Sequence, residues 1–151
     1  MHLTHLSLTD YRAFTRLDMD VPRRVLVLVG ANAQGKTSVL EAIYYLATFN
    51  SFHTHTDRQL INFLACEHMP SVGRIVAHFQ RGDRLQRLEV RLILESSSNG
   101  GRFRREILLD GVKRNATEVL GTFTAVIFLP QMTRIIEGEP DERRRYLNLA
   151  L

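Results

Sequence analysis

One eight-residue segment restricts the fold of this chain more than any other feature of its sequence. Residues 30–37 read Gly-Ala-Asn-Ala-Gln-Gly-Lys-Thr, which matches the pattern G-x-x-x-x-G-K-[ST] of the P-loop. The apolar run Val-Leu-Val-Leu-Val at 25–29 precedes it, and residues 36–48 follow with apolar side chains at helical spacing and no Gly or Pro. This order predicts a P-loop α/β fold, with residues 25–29 as a parallel strand buried on both faces.

The residue types of the P-loop suit the binding of a phosphate chain. Glycine lets the backbone fold tightly around an anion, and successive N–H groups then point at it from the N-terminus of the next helix. Lys36 is expected to reach the β- and γ-phosphates, where it also serves catalysis, and the Thr37 hydroxyl to bind Mg²⁺. The alternative is a glycine turn that only caps the helix. The predicted nucleotide-binding residues are Gly30, Ala31, Asn32, Ala33, Gln34, Gly35, Lys36, Thr37 and Ser38.

Alternating apolar and polar residues predict antiparallel strands elsewhere in the chain. The predicted strands are two within residues 1–21, then 74–79, 85–95, 103–109 and a further buried strand at 124–129. Short helical segments are predicted at 58–64 and 115–120, and Pro140 stands where another helix would begin. Asp110-Gly111 lies between two strand-like runs, so we interpret it as a hairpin turn and not as an acidic Mg²⁺ ligand.

Basic residues are concentrated in the middle of the chain. Residues 81–105 carry seven arginines and three acidic residues, a local charge of +4, which equals the formal net charge of the whole 151-residue chain. A localised basic stripe suits a polyanion such as DNA, and the candidate contacts are Arg87, Arg91 and Arg104. The alternative is a solvated strand face.

Several classes of protein are excluded or disfavoured by composition. The single cysteine, Cys66, cannot form a disulfide framework or a cysteine-based zinc site, and it favours a reducing compartment. His53 and His55 have no third metal ligand at a suitable spacing. The longest apolar run is far shorter than the roughly 20 residues that span a bilayer, and the N-terminus lacks a signal-peptide pattern. We therefore expect a cytosolic protein without membrane contact. Separately, we interpret Phe49, Phe52 and Phe63, which lie near the predicted helix, as core residues.

The sequence around the P-loop resembles the RecF family, bacterial recombination-repair ATPases of the ABC/SMC-like class. The resemblance is carried by residues 3–12 (LTHLSLTDYR), 30–42 (GANAQGKTSVLEA), 51–54 (SFHT), 57–61 (DRQLI) and the later block 128–147 with Phe-Leu-Pro, Gly-Glu-Pro and Arg-Arg-Arg-Tyr-Leu. It covers the whole chain. The sequence departs from the family at Gln131 and Met132, where acidic residues are usual, at His53, where a basic residue is usual, and at Asn148, where Asp is usual.

The resemblance implies the head domain of an ABC-type ATPase, a mixed sheet with an added antiparallel β-layer. Residues 1–151 would form its N-terminal portion without a second complete domain, which agrees with a helix-like sequence that stops without a capping signal. Arg12 would reach toward the nucleotide phosphates, and Gln131 would act as the Q-loop glutamine near Mg²⁺ and the attacking water. Because the signature motif and catalytic acids of the family lie beyond residue 151, this chain alone is expected to bind ATP without turnover.

The resemblance also implies partners. These are a second copy that dimerises around ATP, DNA at single-strand/double-strand junctions, and the proteins RecO and RecR. The implied role is to assist RecA loading at gaps during DNA replication, DNA-damage repair and the SOS response. The residues alone leave two other interpretations open. One is a small P-loop kinase or another P-loop NTPase unrelated to DNA, and the other is a DNA-binding module in which the P-loop is only a scaffold.

Overall fold

The computed structural model describes residues 1–67, 69–96, 101–129 and 144. These residues form a six-stranded sheet in the order β2-β1-β3-β4-β5-β6, and every neighbouring pair is antiparallel. The strands are β1 His2–Tyr11, β2 Phe14–Asp20, β3 Ser71–Arg81, β4 Arg84–Glu95, β5 Arg102–Leu109 and β6 Val112–Arg114. The helices are α1 Lys36–Thr48 and α2 Ala116–Val119, with two 3₁₀ turns at Asp57–Leu60 and Ala65–Glu67.

The two faces of the sheet differ because its strands alternate in hydrophobicity. On β4, Leu88, Val90, Leu92 and Leu94 are fully buried, as predicted. They pack in one core cluster with the buried side of α1, and we call this side of the sheet the inner face. The intervening residues of β4 and the matching residues of its neighbours form the outer face, which combines many charged side chains with a few apolar ones such as Val76 and Ile93. Burial of each large apolar side chain stabilises the fold by about 1.5–3 kcal/mol.

The hairpin predicted at residues 110–111 is confirmed. Asp110 and Gly111 have φ values of 51° and 81° and connect β5 to β6, with Leu109 paired to Val112. Two successive left-handed residues are what a type I′ turn requires, and this turn matches the twist of the two strands that it joins. The Asp110 carboxylate also accepts a hydrogen bond from the backbone N–H of Arg87 at 2.7 Å. Asp110 is therefore a turn residue.

Two predictions of buried strands are wrong. Residues 25–29 and 124–129 are not in strands, and Val29 is 89% exposed while Val126 and Phe128 are also exposed. A segment that is apolar on both sides needs a paired strand at its edges and a packed layer on each face. Among the described residues no strand pairs with either segment. The prediction for Phe63 is also wrong, because this side chain is 79% exposed, whereas Phe49 is buried as expected.

Some predictions concern residues outside the described ranges. These are the predicted helix beginning at Pro140 and the predicted role of Gln131. In the part of the chain that the structure describes, no helix is both long and apolar enough to cross a membrane.

Candidate nucleotide-binding site

The P-loop is a compact turn that leads directly into α1. Ala33 and Gly35 have φ values of 64° and 84°, and Gly35 is the N-cap of the helix. Left-handed residues in such a turn are typical of concave backbone arrangements that bind anions. No side chain caps the first turn of α1, which also contains no acidic residue. The N–H groups and the positive end of the helix dipole are thus available to an anion.

Gly35 lies against an aromatic ring from the sheet. A Cβ atom at this position would stand 2.5 Å from Cζ of Phe14, closer than two carbon atoms can approach, and its φ of 84° is disfavoured for other residues. The second glycine of the motif is therefore required for two reasons, backbone conformation and close packing. This contact joins the P-loop to the start of β2.

The side chain of Lys36 lies over the P-loop. Its Nζ donates hydrogen bonds to the carbonyl oxygens of Gly30 at 2.7 Å and Ala31 at 2.6 Å. The next residue, Thr37, is exposed in the first turn of the helix. A threonine hydroxyl is the kind of hard oxygen ligand that Mg²⁺ prefers, so the donor set fits the metal. The Lys36 ammonium group and the Thr37 hydroxyl thus belong to the first turn of the helix, whose N–H groups have no side-chain cap.

Arg12 lies in the turn between β1 and β2, with a φ of 52°, and forms an ion pair with Glu41 of α1. Its Nε donates to Oε2 of Glu41 at 2.8 Å and its Nη2 to Oε1 at 2.6 Å. Burial would lower the pKa of Arg12, but the hydrogen bonds and charge of Glu41 outweigh this effect and raise it. The guanidinium is therefore permanently charged and held in one orientation.

Sequence reasoning missed Glu41. Its side chain is only 1% exposed, although it is a carboxylate. A signal was present in the helix, because Glu41 falls beside Ala42 and four residues before Tyr45, within the buried stripe of α1. A charged residue at such a position needs a partner of opposite charge, and that partner is 29 residues away in sequence.

The three candidate DNA contacts of the predicted basic stripe lie on the outer face and are ion-paired, whereas Arg105 of the same stripe pairs with Asp57 on the inner side. The side chain of Glu89, 1% exposed, accepts hydrogen bonds from Nε of Arg74 at 2.8 Å, from Nε of Arg91 at 2.7 Å and from Arg87. Burial would raise the pKa of Glu89, but hydrogen bonds to Arg74 and Arg91 and the charges of Arg74 and Arg87 lower it to about 2. Arg104 pairs with Glu95 at 3.0 Å and with Glu106. Arg74 was not predicted, since it is isolated in the sequence.

Comparisons with known proteins agree with this geometry. A family model described as AAA domain matches residues 1–90. The DNA replication and repair protein RecF of Roseiflexus castenholzii is 39% identical over the whole chain, and that of Herpetosiphon aurantiacus is 34% identical. This chain belongs to the RecF family. It spans 40% and 41% of the lengths of these two relatives, and it corresponds to the N-terminal part of RecF.

Solved RecF structures show the same fold. A structure of the recombination mediator protein RecF-ATP in the RecFOR pathway covers 97% of this chain, with a TM-score of 0.77 and 28% identity. A second one, described as RecF-ATPrS, covers 98% with a TM-score of 0.80 and 27% identity. The chain covers 38% and 37% of those two RecF chains. The prediction of an ABC-type ATPase head with an antiparallel β-layer is confirmed.

Proposed function

We propose that this chain forms the nucleotide-binding portion of an ATP-dependent DNA replication and repair protein. The observation that supports this most strongly is the P-loop itself, with Gly35 at a left-handed φ and the Lys36 ammonium lying over the loop. The match to a RecF structure described with ATP supports ATP as the nucleotide of this loop.

The proposed site follows the sequence pattern residue by residue. Backbone N–H groups of residues 30–38 bind the phosphates, Lys36 neutralises the β- and γ-phosphates, and Arg12 adds a second positive charge. Thr37 would hold Mg²⁺, which when bound would neutralise the charge of the phosphates. Gln131, which lies outside the described residues, is proposed to approach the metal and the attacking water.

Turnover is proposed to require more than this chain. The chain spans about 40% of the length of its RecF relatives, and the signature motif and acidic catalytic residues of the class are proposed to lie in the remainder. ATP binding would then support a homodimer in which the nucleotide is held between two copies. The chain alone is proposed to bind ATP with negligible hydrolysis.

The outer face is proposed to contact DNA through Arg87, Arg91 and Arg104. Although these arginines are ion-paired, their side chains stay 37–43% exposed, so they keep N–H groups that can reach phosphates. By family membership we propose binding near single-strand/double-strand junctions, assistance to RecA loading together with RecO and RecR, and a cytoplasmic location.

The nucleotide part of the proposal is tested by equilibrium binding of Mg²⁺-ATP to the purified chain. Isothermal titration should detect ATP binding that Lys36→Ala weakens by at least tenfold, while the turnover rate stays at background for both proteins. Wild-type binding that Lys36→Ala leaves unchanged would overturn the site. Steady hydrolysis that Lys36→Ala abolishes would overturn the proposal that this chain lacks turnover.

The DNA part is tested by the salt dependence of duplex binding. Replacing Arg87, Arg91 and Arg104 with Gln should weaken binding and flatten the slope of affinity against salt, because fewer counterions are released. A matched triple variant at Arg23, Arg24 and Arg58, which are exposed and lie outside the sheet, removes the same charge and should have a smaller effect. Equal effects of the two triple variants would contradict a binding surface on the outer face.

A further inference from the structure

We infer that Glu41 is a positioning residue for nucleotide binding, which holds the guanidinium of Arg12 in the orientation that the phosphates require. The inference rests on the proposed nucleotide site and adds to it a buried carboxylate that does not contact the nucleotide itself. It also implies that the affinity for ATP depends on a residue of α1 beyond the P-loop motif.

The geometry of the pair leaves part of Arg12 available. A guanidinium has five N–H groups. Nε and Nη2 each donate one hydrogen bond to Glu41, and Nη1 donates one to the carbonyl oxygen of Gln59 at 3.0 Å. These three bonds leave one N–H on Nη1 and one on Nη2. The Tyr11 hydroxyl also interacts with the guanidinium, and the Arg12 side chain is 22% exposed. An incoming phosphate oxygen can therefore bind Arg12 without breaking the pair.

Both members of the pair are attached to the P-loop. Glu41 lies five residues after Lys36 on the helix that the loop begins. Arg12 stands two residues before Phe14, whose ring packs against Gly35. The distance between the turn and the loop is thus set by direct packing, and the ion pair fixes the one flexible element, the long Arg12 side chain. Side chains ordered before binding cost less entropy when the ligand arrives.

The surroundings of Glu41 hold the carboxylate itself in place. The hydroxyl of Ser51 donates to Oε1 of Glu41 at 2.5 Å and accepts N–H groups from His53 and Thr54 at 2.9 and 3.0 Å. On the other side of the pair, the backbone N–H of Arg12 donates to the carbonyl of Leu60 at 2.8 Å. The carboxylate is fixed from α1 and from the loop that follows it, which is expected of a group that orients another side chain.

The inference is tested by measuring Mg²⁺-ATP affinity in a double-mutant cycle on this chain. Arg12→Ala and Glu41→Gln should each weaken ATP binding about tenfold, the size expected for one lost charged hydrogen bond. The double variant should be no weaker than Arg12→Ala, because Glu41 acts only through Arg12. Glu89→Gln is the matched control, since Glu89 is equally buried and arginine-paired but lies on the outer face. It should lower the thermal stability while the ATP affinity stays within twofold.

Three results would overturn the inference. The first is unchanged ATP affinity in Glu41→Gln while Arg12→Ala loses affinity, which would leave the proposed site intact. The second is an additive loss in the double variant. The third is unchanged affinity in Arg12→Ala, which would also remove Arg12 from the proposed site, whereas the effect of Lys36→Ala reports on the P-loop separately.

A second variant keeps the test decisive if Glu41→Gln does not fold, as judged by circular dichroism. Arg12→Lys keeps the positive charge but cannot form the bidentate ion pair with Glu41. If orientation matters, Arg12→Lys should weaken ATP binding nearly as much as Arg12→Ala. Wild-type affinity in Arg12→Lys would show that charge alone suffices and would overturn the positioning role.

Discussion

Two glutamates are buried in the described part of the chain, and the regions around them use the same interaction for different ends. Glu89 lies on the outer face, where it binds three arginines from β3 and β4. Glu41 lies on α1, where it joins the β1–β2 turn to the loop after the helix. The first network joins paired strands of the sheet. The second connects α1, the β1–β2 turn and the loop after the helix, where the backbone contact is the isolated bridge of Tyr11 with Ile61.

The difference follows from how each region is built. On the outer face the register already places Arg74 directly opposite Arg91, and like charges in that position repel unless an anion lies between them. Glu89 removes this repulsion, so its role is to allow the sheet to form. Around the P-loop the elements are irregular, and Glu41 selects one arrangement of them. We expect the outer-face network to dominate stability and the Glu41 network to affect ligand binding.

The largest effect on stability is expected from Glu89→Gln. Removing the charge leaves three guanidinium groups close together, with Glu106 at 4.0 Å from Arg91 as the remaining carboxylate partner, which should lower the free energy of unfolding by about 3–5 kcal/mol. Urea denaturation measures this loss. Glu95→Gln is the control, since the Glu95 side chain is 40% exposed and pairs only with Arg104 in the described part of the chain, so it should cost less than about 1 kcal/mol. Equal losses would contradict the central role of Glu89.

Acid should remove much of the same stabilisation. The pKa of Glu89 is lowered from 4.5 to about 2 in the folded chain, so its contribution is fully present above pH 4.5 and is lost as the pH falls toward 2. The free energy of unfolding that Glu89 contributes through this pKa shift is about 3 kcal/mol. The difference in unfolding free energy between the wild type and Glu89→Gln should therefore shrink steadily over this range. If this difference in unfolding free energy did not change with pH, the loss of stability in Glu89→Gln would come from the shape of the side chain and not from its charge.

A smaller loss of stability is expected on the P-loop side from Gly35→Ala. Both Gly35 and Gly111 have φ values above 80°, but a Cβ at Gly111 meets nothing within 4 Å, whereas one at Gly35 overlaps the Phe14 ring. Gly111→Ala should therefore cost only the backbone strain, about 1 kcal/mol, and Gly35→Ala about 2–3 kcal/mol together with loss of ATP binding. Thermal denaturation and ATP titration of both variants check this. Similar behaviour of the two variants would contradict the close packing at Gly35.

The smallest effect is expected at the β2 edge of the outer face. His5 contacts Asp20 at 2.8 Å and Asp18 at 2.7 Å, and its ring lies beside that of His78. The aspartates raise the pKa of His5, so its contribution is present below pH 6.5 and is lost as the pH rises through the folded value. His5→Gln should thus cost less than about 1 kcal/mol at pH 5.5 and nothing at pH 9. A larger loss at pH 9 would contradict the ion pairs.

The elements that local pattern determines were predicted well from the sequence. The helix after the P-loop, the alternating strand β4 and the hairpin at Asp110 depend on spacing and turn chemistry within a few residues. Residues 25–29 and 124–129 were wrongly predicted to be buried strands, because an apolar run alone does not determine whether another strand pairs with it. The pair between Arg12 and Glu41 was missed for a related reason, since it forms only after the fold brings the turn and the helix together.

The central claim is that the backbone of residues 30–37 binds the phosphates of ATP. The most direct measurement is an NMR titration of the ¹⁵N-labelled chain with Mg²⁺-ATP, with adenosine as the comparison ligand. We expect the largest shifts at the amide groups of Gly30 to Thr37, and adenosine should leave these amides unshifted because it has no phosphates. Shifts confined to other residues, or equal P-loop shifts with adenosine, would contradict phosphate binding at this loop.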